Sequence, residues 1–160
     1  MVKQDSHELQ LGSIVIIGVG RERYMDDSVG LAVVRQLEAE GLPASATVEE
    51  VRACGMELIP AFDGAAWAII VAALDLGEAP GTVRVFTPAD LEDGVVILAE
   101  RPGHTSLADV LELAAMTDLA PKVTIVAIQP GEIAPGYEMT EAAQGAVGVS
   151  VSRVQELLSA

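Results

Sequence analysis

Three segments of this chain are apolar over a length that suits a strand: SIVIIGV at 13–19, WAIIVAA at 67–73 and KVTIVAIQ at 122–129. They are rich in β-branched residues and lack polar alternation, so they must be covered on both faces, as strands inside a parallel sheet are. Helices have to supply that cover. Val29, Ala32, Val33 and Leu37 recur at helical spacing after the first run, and Gly41 with Pro43 ends the pattern. Leu107, Val110, Leu111, Ala114 and Ala115 repeat the spacing, with Ser106 and Asp109 placed as a capping box. A last helix is predicted from about Thr140, with Val147, Val151, Val154 and Leu158 on one stripe; Gly145 and Gly148 each weaken it by about 1 kcal/mol. Shorter patterns predict a strand at 47–53, a short helix at 56–62 around Pro60, and an alternating strand at 82–86 with one wetter face, at a sheet edge. The fold class that follows is α/β: a three-layer sandwich with a mostly parallel twisted sheet flanked by helices. It forms a single domain at 12–160 behind a frayed tail at 1–11.

A chain of 160 residues can bury one core, and 51% hydrophobic content excludes disorder driven by charge. Nine basic residues stand against 24 acidic ones, a net charge of −15, which argues against nucleic acid and anionic membranes as partners. The same excess leaves carboxylates for a divalent cation or merely for solubility. The single cysteine, Cys54, excludes an internal disulfide and suits a cytoplasmic setting. The longest uncharged apolar run, 64–74, is about half of the roughly 20 residues that span a bilayer, and MVKQDSHELQ has no signal-peptide character.

Parallel sheets carry their sites beyond the carboxyl ends of the strands, which directs attention to the loops after Val19, Ala73 and Gln129. The first reads GVGRERYMDDSVG at 18–30. Gly18 and Gly20 suggest a dinucleotide fingerprint, but Arg23 stands where a third glycine is needed, and Asp26 and Asp27 would repel a pyrophosphate at the helix start. A cation suits the loop better. Two plainer readings stay open: either aspartate caps the helix, or both pair with Arg21 and Arg23. Cys54 lacks an adjacent base and reads as a structural thiol, His7 lies in the polar tail, and no GxSxG elbow is present.

Five ordered pieces together resemble the hydrogenase maturation endopeptidases, the nickel-dependent processing proteases of [NiFe]-hydrogenase large subunits. They are GVGRERYMDDSVG at 18–30, CGMELIP at 54–60, LDLGEAPGTVRVF at 74–86, HTSLADVL at 104–111, and AIQPGEI at 127–133 with the later MT at 139–140. The resemblance implies an endopeptidase that removes the C-terminal extension of the nickel-loaded large-subunit precursor, working as a cytoplasmic monomer. Nickel is the implied ion, held by this chain or supplied by the substrate. It also implies three metal-contacting positions. The first-loop acid corresponds to Asp27, and the histidine before the LADVL-like helix to His104, if one residue is lost ahead of Leu107. These two are the implied catalytic residues. The third position, an aspartate closing the central strand, is Ala72 here. Asp75 is the substitute, about 10 Å further along at 3.3 Å per residue, so its loop must fold back. Asp26 is a supporting acid. Arg21 replaces the usual asparagine after the second glycine. Ala72 and Arg21 also leave open a non-catalytic relative that binds a hydrogenase subunit or maturation partner without cleavage.

Overall fold

The computed structural model describes residues 13–52, 55–99, 106–117 and 120–160. The three apolar runs are strands: β1 (Ile14–Val19), β3 (Trp67–Ala73) and β5 (Lys122–Ile128). With β2 (Ala46–Val51) and β4 (Val83–Phe86) they form a five-stranded sheet in the order β2-β1-β3-β5-β4. All pairings are parallel except β4 with β5, so the alternating segment is the antiparallel edge strand that its wetter face foretold.

Helices α1 (Val29–Glu40) and α5 (Glu141–Ser159) cover one face. They pack Val29, Val33, Val34, Leu37, Ala143, Ala146, Val151 and Val154 against Ile16, Ile69, Val71, Val126 and Ile128. On the other face α2 (Leu58–Ala61) and α4 (Leu107–Ala115) set Leu58, Leu107, Val110, Leu111 and Ala114 against Val15, Ile17, Ala68, Ile70, Ile125 and Ala127. Alternate residues of each strand feed opposite clusters, as the pleat requires. The predicted three-layer sandwich is the observed one.

Two local details differ from the sequence reading. The helix α3 (Pro88–Glu92) was not anticipated, although Thr87 and Asp90 close a reciprocal capping box at its start. Ser106 makes only half of the box expected of it: its hydroxyl accepts the Asp109 N–H at 3.1 Å, and no return bond forms. Among the described residues no helix is long and apolar enough to cross a membrane.

Glycines set how closely the first helix can approach the sheet. A Cβ on Gly18 would lie 2.5 Å from the Val34 side chain, and one on Gly30 would lie 2.4 Å from the Val71 carbonyl and 2.5 Å from that of Val19. The start of α1 therefore rests directly on the carboxyl ends of β1 and β3. These two strands are neighbours in the sheet, yet the chain leaves β1 toward β2 and leaves β3 toward the opposite edge. This is the switch point at which such sheets open a crevice.

Candidate functional site

The loop from Gly20 to Ser28 lies over that crevice and ends in a turn of 3-10 helix at Met25–Ser28. Its two aspartates have separate fates. Asp26 is fully buried and reaches the segment after β5. Its Oδ2 accepts the N–H groups of Gly131 at 2.7 Å and Glu132 at 3.1 Å and the Thr140 hydroxyl at 2.7 Å, while Oδ1 accepts the Thr140 N–H at 2.7 Å. Burial alone would raise its pKa. The Thr140 hydroxyl and N–H, with the Gly131 and Glu132 N–H groups, outweigh that and hold the carboxyl below its ordinary value. Thr140 is also the N-cap of α5, its oxygen accepting from the Ala143 N–H at 3.4 Å. Asp26 thus joins the starts of two helices and has no coordination left for an ion. Neither aspartate caps α1, whose N-cap is Ser28 without a side-chain bond.

Asp27 remains at the crevice, with 16% of its side chain exposed. Its Oδ2 accepts from Arg21 twice, from the backbone N–H at 3.2 Å and from Nε at 2.8 Å. The Arg21 guanidinium lies 4.1 Å above the Tyr24 ring. So the expected salt bridge forms with Arg21, and Arg23 takes no part in it. Both contacts fall on one oxygen, and among the described residues Oδ1 accepts no hydrogen bond. One carboxylate oxygen is pinned and the other is presented outward.

A Cβ at Gly20 would lie 2.1 Å from the Asp27 carbonyl, so only glycine permits this fold of the loop. The GVG signal is therefore a packing requirement around an acid, not a phosphate cradle. A second clamp holds the loop across: Gly136 N–H donates to Arg23 O at 2.7 Å and Met25 N–H to Gly136 O at 3.0 Å. Arg23 and Met25 take left-handed backbone angles, φ 69° and 52°, between these bonds.

The end of the central strand departs from what a three-ligand site needs. Ala72 is 1% exposed and pairs in register with Val19 on one side and Ala127 on the other. Its methyl group packs into the cluster that Leu107 of α4 also enters. Asp75 is exposed, and its Oδ1 accepts from Gly77 N–H at 3.1 Å and Gln129 Nε2 at 3.2 Å. Gln129, 7% exposed, also accepts from Leu76 N–H at 2.6 Å and Glu78 N–H at 3.3 Å, so it shapes the whole turn after β3. Its role had no signature in the sequence beyond its place at the end of an apolar run. His104, with His7 and Cys54, lies outside the described residues. Among the described residues no three potential metal ligands cluster. The cavity of about 530 Å³ bordered by Trp67, Phe86 and Lys122 is at the opposite end of the sheet, away from these groups.

The comparisons with known proteins agree with the sandwich fold. The hydrogenase maturation protease family model, HycI, matches residues 31–157, beginning one residue after Gly30. The chain belongs to this family, which is one of endopeptidases acting in hydrogenase maturation. It is 25% identical over 148 residues to the hydrogenase expression/formation protein HupD of Rhodobacter capsulatus, spanning 90% of this chain and 70% of that protein. It is 28% identical over 123 residues to HupM of Azotobacter chroococcum, spanning 76% of this chain and 59% of the relative's length. Among solved structures, the hydrogenase maturating endopeptidase HybD from E. coli superposes with a TM-score of 0.74 at 25% identity, over 92% of both chains. The [NiFe] hydrogenase maturation protease HybD from Thermococcus kodakarensis gives 0.72 at 23%, over 91% of this chain and 99% of that one, and shows the same fold.

Proposed function

We propose that this chain removes the C-terminal extension from a nickel-loaded [NiFe]-hydrogenase large-subunit precursor, as a cytoplasmic monomer. Asp27 and His104 are the residues that meet the substrate. The observation that supports the reading is the divided Asp27 carboxylate at the switch-point crevice, Oδ2 held by Arg21 and Oδ1 open. An oriented carboxylate with one unpaired oxygen can contact a cation or accept a proton. In this proposal nickel enters with the precursor.

The experiment is incubation with nickel-loaded precursor, followed by intact-mass measurement. Loss of the extension is expected, and Asp27→Asn is expected to slow it by about 100-fold while leaving the fold intact. A precursor that binds and stays whole would overturn the proteolytic reading, and a docking role without cleavage would replace it.

A further inference from the structure

The two zipped loops present a second feature that the Asp27 chemistry does not use. Arg23 projects from the left-handed position of the first loop, and its guanidinium lies 5.6 Å from the ring of Tyr137, a tyrosine 79% exposed in the second loop. Beside it, Arg21 covers Tyr24, itself 36% exposed. Arg35, Arg84 and Arg153 each pair with glutamate, at Glu22 and Glu50, at Glu78 and at Glu156 respectively. Arg23 pairs with no carboxylate among the described residues, although Glu132 and Glu138 belong to the loop it is zipped to. Glu22, its sequence neighbour, is drawn away to Arg35. Arg52 and Lys122 are also without a carboxylate partner among the described residues, but on a chain of net charge −15 Arg23 is the unpaired guanidinium in the loop that carries Asp27.

We infer that Arg23 and Tyr137, with the outer N–H groups of Arg21, form a docking rim for a carboxylate-bearing peptide segment. The identification of the partner as peptide rests on the proposed proteolytic function; the acidic character rests on the rim. A guanidinium stacked on a ring keeps its in-plane N–H groups directed outward, and these fit a carboxylate bidentately. The ring meanwhile offers apolar area to the peptide backbone or a neighbouring side chain. The backbone bonds on either side of Arg23 fix the rim before a partner arrives, so little ordering entropy is lost on docking. The general acidity of the surface disfavours acidic chains over most of the remaining surface, which favours their approach to this edge.

The test titrates the ¹⁵N-labelled full chain with an acetylated, amidated hexapeptide of alternating glutamate and serine, and separately with its glutamine counterpart. The glutamate peptide is expected to shift the Arg23 and Arg21 Nε–H signals and the Tyr137 ring signals. Raising salt from about 0.05 to about 0.3 M should weaken its binding several-fold. Arg23→Gln and Tyr137→Ala are each expected to reduce affinity about threefold, and Arg153→Gln to leave it unchanged. Equal binding of the glutamine peptide, shifts located elsewhere, or affinity indifferent to both rim substitutions would overturn the inference. Because the readout is binding, a chain that binds the glutamate peptide yet leaves the precursor uncut refutes the proposed proteolysis and not the rim. Cleavage without peptide binding does the reverse.

Discussion

Asp26→Asn should be among the most damaging single-atom changes available to this protein. Three donors converge on Oδ2 and one, the Thr140 N–H, on Oδ1. If the asparagine carbonyl takes the Oδ2 position, three bonds persist but become neutral, each losing about half of its roughly 1.5 to 3 kcal/mol. The amide NH₂ then faces the Thr140 N–H where a 2.7 Å bond existed, leaving a buried donor unpaired at a cost of about 1 to 3 kcal/mol. The combined loss is about 3 to 7 kcal/mol, against a total of about 5 to 15 for a domain of this kind. At about 3 °C per kcal/mol the melting temperature falls by roughly 10 to 20 °C. Urea unfolding at pH 7 should show a lower midpoint with an unchanged slope. The pH dependence gives an independent arm. The folded pKa of Asp26 lies below the ordinary 3.8, so its contribution is complete above the unfolded value and disappears as pH falls through the folded one. The gap between native and Asn proteins should therefore be constant above about pH 5 and close under stronger acid. A loss under about 1 kcal/mol, or a gap that widens on acidification, would refute the assignment of Asp26 as the bond between the two loops.

Other substitutions test the packing and the turn after β3. Gly30→Ala should destabilise by about 3 kcal/mol or more, because its Cβ meets two backbone carbonyls that cannot yield. Gly145→Ala, with nothing within 4 Å of the added carbon and a helical position in α5, should stabilise by about 0.5 to 1 kcal/mol; chemical denaturation of the pair reads both signs. Gln129→Leu should release the turn after β3, seen as faster amide hydrogen exchange at Leu76 and Glu78 with little change in the interior of β5.

The layers of the fold were legible because burial writes itself into local sequence. A strand covered twice must be apolar nearly throughout, and β1 and β3 are, while β5 runs apolar from Ile125 after Lys122 and Thr124; the edge strand β4 is only partly buried. What local pattern could not convey is the partner of a buried polar group. By residue type alone Asp26 and Asp27 are adjacent acids with equal claim to a ligand role, and only the family resemblance singles out Asp27. The partners that separate them stand 105 to 114 residues away for Asp26 and 6 residues away for Asp27. Gln129 escaped for the same reason, since its contacts with Leu76 and Glu78 span more than 50 residues. Asp75, the substitute for the acid missing at Ala72, also takes part through Oδ1 in the turn that Gln129 shapes.

Ala72 and Arg21, where the resemblance implies an aspartate and an asparagine, meet at one place, and their charges add. Ala72 pairs in register with Val19, the residue from which the loop bearing Arg21 and Asp27 departs. Relative to an aspartate at 72 and an asparagine at 21, the crevice has gained two positive units, which lowers its attraction for a free dication. The free protein should accordingly gain less than about 1 °C in melting temperature from 0.1 mM Ni²⁺, as mass action requires for a dissociation constant near or above about 1 mM. An Ala72→Asp, Arg21→Asn double variant removes those two positive units and adds one carboxylate donor. If it reaches a dissociation constant of about 1 μM, the same nickel adds about 2.7 kcal/mol, or roughly 8 °C. A large nickel shift in the unmodified chain, abolished by Asp27→Asn, would show that this crevice holds its own ion and that nickel need not arrive with the precursor.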